Sequence, residues 1–348
     1  MKTLFAVIAA ALAIAVPAAL AGTTAAVTGY PSSMASLGDS ITRAFDTCSS
    51  AYTDCPANSW STGTNSAVNS LYSRILTANS AISGKNFNDA KTGAKMVDLA
   101  GQASTAVSQG VQYVTIMMGA NDVCTSTVAG MTPVATVATQ LDAALANISA
   151  GLPDARIFVA SIPNVYHLWQ IYHTNFGAIL VWGFAGICQS LLARPTSTSA
   201  TDTARRQQVN QRVLDDNAAI KTTCAKYVHC RYDGGAAYGV NFTTSEVTTR
   251  DYFHPSVSGQ LHAANVEAAA SFNFTDSTAP VSSAVVDGSG NIAITSGSAD
   301  LSGIEFSLNG GSSWTRYATP LSVAAGTTVT YRAVDVNGNA EAAQQITR

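Results

Sequence analysis

Ser40, closing the tripeptide Gly38-Asp39-Ser40, is the residue through which this chain can do covalent chemistry. It follows a short apolar run with Met34, Ala35 and Leu37, which reads as a buried strand. A serine placed where a strand breaks into a turn exposes its hydroxyl above the sheet edge, as nucleophilic catalysis requires. Such a serine needs a base, a group that orients the base, and donors for the oxyanion. Of the five histidines, His254 is the one with a carboxylate three residues before it, Asp251, and a proline after it, which favours a loop. In that loop the aspartate can accept from the imidazole Nδ1–H and leave Nε2 to take the serine proton. Neutral donors for the oxyanion are the N–H of Gly93, in the turn Lys91-Thr92-Gly93-Ala94, and the side-chain amide of Asn121, in Gly119-Ala120-Asn121-Asp122. The Ser40 N–H is the third. Each has a plainer reading as well: Gly93 as a turn former, Asn121 as a helix cap, Asp251 and His254 as a solvated loop pair.

Taken in order, Gly38-Asp39-Ser40, Gly93, Gly119-x-Asn121-Asp122 and Asp251-x-x-His254 resemble the four sequence blocks of the SGNH/GDSL hydrolases. The chain is similar in particular to the secreted actinobacterial esterases, lipases and phospholipases of that family, over about residues 33–272. Four blocks in order are far more specific than any one of them. The resemblance implies a flavodoxin-like α/β/α three-layer domain on a five-stranded parallel sheet. It also implies Ser40 as nucleophile, His254 as base, Asp251 as its partner, and an oxyanion hole of Ser40, Gly93 and Asn121. Ala44 stands where the first block often ends in glycine. Some members orient the histidine with a backbone carbonyl, which puts the weight carried by Asp251 in question.

The elements that must position these groups alternate in type. Runs rich in Val, Ile and Phe are followed by amphipathic ones, the pattern of a parallel sheet with helical crossovers. Apolar residues at helical spacing mark 66–76, and helices are also expected over 97–108, 133–150 (proline in the first turn, Gly151 after the end), 203–225 (polar, with arginines) and 256–272 (alanine-rich); strands are expected near Phe87 and over 111–118, 156–162 and 227–232. Residues 165–192 carry Tyr166, Trp169, Tyr172, Phe176, Trp182 and Phe184, readable as a core helix pair or as an acyl-pocket wall, core being the commoner fate. Their histidines, His167 and His173, read as polar surface points. Beyond about residue 275 lysine, histidine and cysteine disappear, and short alternating runs separated by Asn-Gly turns read as a small all-β sandwich. In that part Val329, Tyr331 and Ala333 share one face of a half-buried strand, and Trp314, Tyr317 and Tyr331 read better as filler than as sugar-stacking platforms.

The bulk numbers exclude some classes. A formal charge of −3 with only 11% charged residues leaves no basic field for a phosphate backbone, so no nucleic-acid partner is expected. Lys2, the apolar run 4–16 and Ala19-Leu20-Ala21 read as a signal peptide of residues 1–21, the run falling short of the roughly 20 residues of a spanning helix. The expected organisation is that leader, a hydrolase domain over 33–273, and an Ig-like β module over 276–348. Export suits six cysteines in disulfides. Proximity in sequence pairs Cys48 with Cys55 and Cys224 with Cys230, leaving Cys124 for Cys188, one of many connectivities. No Cys-x-x-Cys pair or suitably spaced histidine supports zinc. The expectation is a secreted, monomeric carboxylic ester hydrolase using neither metal nor cofactor, acting on acyl-lipid esters through an acyl-enzyme on Ser40. Alternatives are a carbohydrate O-acetyl esterase and a non-catalytic secreted binding protein. Contact of the C-terminal module with a polysaccharide or cell surface is expected by analogy only.

Overall fold

A computed structural model describes residues 29–348. The expected signal peptide lies outside the described residues. Five parallel strands, β1 (Met34–Gly38), β2 (Asn86–Asn88), β3 (Tyr113–Met117), β4 (Arg156–Val159) and β5 (Cys230–Tyr232), form a sheet in the order β2-β1-β3-β4-β5. The three central strands are buried along their whole length, while β2 and β5 at the edges are not. Largely apolar runs such as 113–117, whose Thr115 hydroxyl is buried and bonds Ser36, are what both covered faces of a parallel sheet require.

The crossovers are helical. They comprise α1 (Leu71–Ala78), α2 (Leu99–Gln109), the single turn α3 (Ala120–Val123), α4 (Val134–Gly151), α5 (Val165–Tyr172), α6 (Phe176–Phe184), α7 (Gln189–Leu192), α8 (Ala200–Cys224), α9 (Ala236–Gly239) and α10 (Val257–Ala270). α2, α4 and α8 pack side by side, as do α1 and α10, giving the three layers expected. Helix α1 begins five residues later than its apolar spacing suggested. Asn69 takes a left-handed φ of 48°, and Ser70 caps the helix by accepting from the Ser73 N–H at 3.1 Å, so residues 66–69 cannot belong to it. The last strand is likewise shorter than 227–232, because Tyr227 and Cys230 sit in the tight turn closed by Cys224–Cys230. Cys48–Cys55 and Cys124–Cys188 are the other two disulfides.

Past residue 275 the chain is all-β. β6 (Ser282–Val286) pairs with β7 (Ile292–Ser296), and β8 (Leu301–Ser307), β9 (Thr315–Arg316), β10 (Thr328–Asp335) and β11 (Gln344–Thr347) form a sheet in the order β11-β10-β8-β9. Ile292, Ile294, Ile304, Val329, Tyr331 and Ala333 make its core, with Tyr317 packed against it. Trp314 lies under the Arg332 guanidinium, 4.1 Å from the ring centroid, so all three aromatics have partners within the fold.

Strand β10 is not half-buried as its alternation suggested. It is buried from Val329 to Asp335 on both faces. Its second face lies against the α/β part: Val334 and Ala340 pack on Val228, and Arg332 donates to Asp154 at 2.6 Å, to the Pro153 carbonyl and to Glu305 at 2.9 Å. Arg156 reaches back to Asn339 at 3.0 Å. Alternation alone leaves Arg332 on the outward face, whereas its partners Asp154 and Pro153 come from another part of the chain.

Candidate active site

In an open parallel sheet of order 2-1-3-4-5, ligands bind beyond the carboxyl ends of the strands where the order reverses, between β1 and β3. Ser40 lies just past the end of β1 and Asn121 just past the end of β3. The turn carrying Ser40 is held tightly. Gln102 of α2 clamps Gly38 from both sides, accepting from its N–H at 2.7 Å and donating to its carbonyl at 2.9 Å. Gln260 of α10 donates to the Ile41 carbonyl at 2.8 Å and accepts from the Trp60 N–H. Gly38 has no room for a side chain: a Cβ would run into the Met117 carbonyl and the Thr42 hydroxyl.

The candidate base, His254, comes from the far end of the α/β part. His254 Nε2 lies 2.7 Å from Ser40 Oγ, across 214 residues of sequence, and His254 Nδ1 lies 2.6 Å from Asp251 Oδ2. The other oxygen, Asp251 Oδ1, accepts from the N–H groups of Phe253 and His254 at 2.8 and 3.0 Å. The loop is pinned where the Thr248 N–H donates to the His254 carbonyl, and Pro255 leads into α10, capped by Ser256. The rings of Phe45 and Phe253 stand beside the imidazole, at 4.9 and 5.1 Å between centroids. Burial would raise the Asp251 carboxyl, but the hydrogen bond and charge of His254 and the two backbone donors outweigh it and hold it below the usual carboxylate range.

The three candidate oxyanion donors, Ser40, Gly93 and Asn121, line one cleft. Gly93 adopts a φ of 80° with open space where a Cβ would go, so the backbone conformation, not crowding, requires glycine there. Asn121 does not cap a helix: it lies within α3, and its amide donates to the Ala94 carbonyl at 2.9 Å, which ties it to the Gly93 turn. Asp122 reinforces the same link by accepting from the Met96 N–H at 2.9 Å and the Thr132 hydroxyl at 2.7 Å. Among the described residues neither the Ser40 N–H nor the Gly93 N–H has a protein acceptor. Two unpaired backbone donors and one partly used amide thus belong to residues that line the same cleft.

That space is a cleft of about 790 Å³ lined by Ser40, Gly93, Asn121, Asp251 and His254 together with Phe45, Leu180, Val181, Phe184, Ile187 and Phe253. Apart from Asp251 and His254 its walls carry no ionisable group but the Tyr52 phenol. His254 is the only one of the five histidines in it; His167 bonds the Phe242 carbonyl, His173 stacks on Trp169, His229 meets Glu305 and Arg332, and His262 pairs with Glu246.

A model of the GDSL-like lipase/acylhydrolase family matches residues 36–261. The chain belongs to that family. It is accordingly a carboxylic ester hydrolase of the esterase/lipase kind. Similar solved structures include an extracellular lipase from Streptomyces rimosus, 18% identical over 69% of this chain and 99% of that one, with a TM-score of 0.40. Phospholipase A1 from Streptomyces albidoflavus is 16% identical over 70% of this chain and 100% of that one, at 0.41. A family 3 carbohydrate esterase from Clostridium thermocellum is 15% identical over 67% and 92%, at 0.38. No curated protein matches the chain significantly.

Within this hydrolase the aromatic segment is divided between the two roles considered for it. Tyr172 and Trp182 are buried in the core, whereas Leu180, Phe184 and Ile187 form one wall of the cleft. Gln102 and Gln260 were not anticipated, and Asp122, quoted in its motif, was given no role. Glutamine carries no positional signal, since its amide here meets backbone groups, of Gly38 for Gln102 and of Ile41 and Trp60 for Gln260, that folding alone brings beside it.

Asp39, the middle residue of the tripeptide, is fully buried; one oxygen accepts from the Ile41 N–H at 2.9 Å and the other has no partner. Burial pushes its carboxyl up to about 6, against the lowering effects of the Ile41 bond and the His254 charge. The folded chain therefore holds this proton between about pH 4 and 6, where the unfolded chain has lost it, and stability declines as pH rises through that window. The loss amounts to about 3 kcal/mol. Asp39→Asn has no proton to lose, so its unfolding free energy in urea should gain on the wild type by about that amount between pH 4 and pH 7. An equal difference at both pH values would contradict the buried, proton-holding carboxyl.

Proposed function

We propose that this hydrolase cleaves acyl-lipid esters by transferring the acyl group to Ser40 and then to water. The observation that carries the lipid assignment is the cleft: apart from Asp251 and His254 its walls carry no charge and are mainly apolar, which suits an acyl chain and offers few hydrogen-bond partners to a sugar. In this reading Ser40 Oγ attacks the ester carbonyl as its proton passes to His254 Nε2. Asp251 stays ionised and holds the imidazole with Nδ1–H toward itself. Negative charge on the carbonyl oxygen is met by the N–H groups of Ser40 and Gly93 and by the Asn121 amide. Collapse expels the alcohol, protonated by His254; water, deprotonated by the same nitrogen, then releases the acid.

Asn121→Ala should lower kcat about 10²–10³-fold, the usual cost of one oxyanion donor, with little change in KM. Steady-state rates on a p-nitrophenyl ester test this, and a loss confined to KM would assign Asn121 to substrate binding instead. The substrate class is tested by comparing p-nitrophenyl acetate, long-chain p-nitrophenyl esters, a dispersed glyceride and acetylated xylan. Preference for long acyl chains is expected; preference for acetylated xylan would favour the carbohydrate O-acetyl esterase.

Residues 33–273 then act as the hydrolase and 276–348 as an appended Ig-like module. Three disulfides, with the leader-like residues 1–21, support secretion. Among the described residues no helix is long and apolar enough to cross a membrane.

A further inference from the structure

Helix α6 reads FGAILVWGF, without a charged side chain and with the Trp182 indole N–H as its one polar side-chain group. It is firmly seated: Asn175 caps it by accepting from the Ala178 N–H at 3.0 Å, Ala178 and Trp182 are fully buried, and Trp182 Nε1 donates to the Tyr252 carbonyl at 3.2 Å. Its other face carries Phe176, Leu180 and Phe184 in the i, i+4, i+8 spacing of one helical row, and they are 75%, 55% and 98% exposed. Three large apolar side chains in one exposed row mark a contact surface. Leu180 and Phe184 also line the Ser40 cleft, so the row runs without a break into its mouth.

We propose that α6 docks this enzyme on an uncharged or zwitterionic lipid surface and sets the mouth of the Ser40 cleft against it. The docking rests on the lipid-ester reading above and names how that substrate is met. Charge identifies the occupant: residues 174–193 contain no Asp, Glu, Lys or Arg, so the patch has nothing to pair with an anionic membrane or a charged protein. Continuity with the cleft argues the same way. A second copy of the chain seated on the row would cover the opening, whereas a lipid surface delivers an ester through it. The helix would lie in the interface with its apolar row inserted, as amphipathic surface helices do.

The test uses the full chain and vesicles of dialkyl-ether phosphatidylcholine, which has no ester to cleave. The wild type should float with the vesicles, and about 1 M NaCl should not strip it, because no charge pairing is involved. Phe176→Asp should bind about tenfold more weakly or worse. Phe176 is the first residue of α6, where the helix dipole favours a carboxylate, and it does not line the cleft, so turnover of dissolved p-nitrophenyl acetate should not change. The proposal is overturned if the wild type does not float, if salt removes it, if Phe176→Asp floats equally well, or if sedimentation shows a dimer that Phe176→Asp dissociates. Failure of the lipid-ester reading looks different: vesicle binding intact, with no fatty acid released from diacyl phosphatidylcholine. Fatty acid released at equal rates by wild type and Phe176→Asp would sink the docking alone.

Discussion

Ser40→Ala is expected to lower kcat on a p-nitrophenyl ester by about 10⁶-fold, the scale of losing a nucleophile that works as a unit with its base. Because Ser40 Oγ and His254 Nε2 are already at 2.7 Å, neither has a separate contribution to lose. The double variant Ser40→Ala with His254→Ala should therefore be hardly slower than either single one, far from the product of two losses. A residual rate above that of water should survive, because the Gly93 and Asn121 donors and the cleft remain. An activity-based fluorophosphonate supplies the independent readout: the wild type is labelled and Ser40→Ala is not. Equal labelling of the two would show that another hydroxyl is the nucleophile.

The second large effect is expected at Asp251. Asp251→Asn should cost about 10⁴-fold in kcat with little change in melting temperature. The reason lies in which oxygen does what. Oδ1 accepts from two backbone N–H groups, so an asparagine must turn its oxygen toward them and its NH₂ toward His254 Nδ1. An imidazole facing a donor at Nδ1 keeps its proton on Nε2, the nitrogen that must be free to take the Ser40 proton. Since the Asp251 carboxyl is held below the usual range, it remains ionised from pH 5 upward, and an acid limb of the rate above that pH does not belong to it. A loss of less than about tenfold in Asp251→Asn would mean that the histidine is oriented by something else, such as a backbone carbonyl.

Much of the fold was legible because its signals are local. Largely apolar runs marked the buried strands, Pro133 and Gly151 marked the ends of α4 to within a residue, and a polar, arginine-bearing stretch marked α8 to within three. Where a boundary was misjudged, at residues 66–70, an apolar spacing continued past a backbone turn that only Asn69 and the Ser70 cap reveal. The disulfides Cys48–Cys55 and Cys224–Cys230 close loops of sequence separation 7 and 6, short enough for proximity to suggest them.

By itself the sequence supplied the candidate reacting groups: a serine at a strand end, a histidine with an aspartate three residues before it, and a glycine and an asparagine that follow later strands. Their types are set by bond-making and proton transfer, and type is what a sequence records. Tertiary structure decided everything that depends on which surfaces meet. It brought His254 to Ser40 across 214 residues, buried the outward face of β10 under Asp154 and Val228, and split α6 into a core face and an exposed row beside the cleft. Periodicity tells which side chains share a face of an element; what that face is packed against is fixed by the free energy of burying it, and that is settled only between elements distant in the chain.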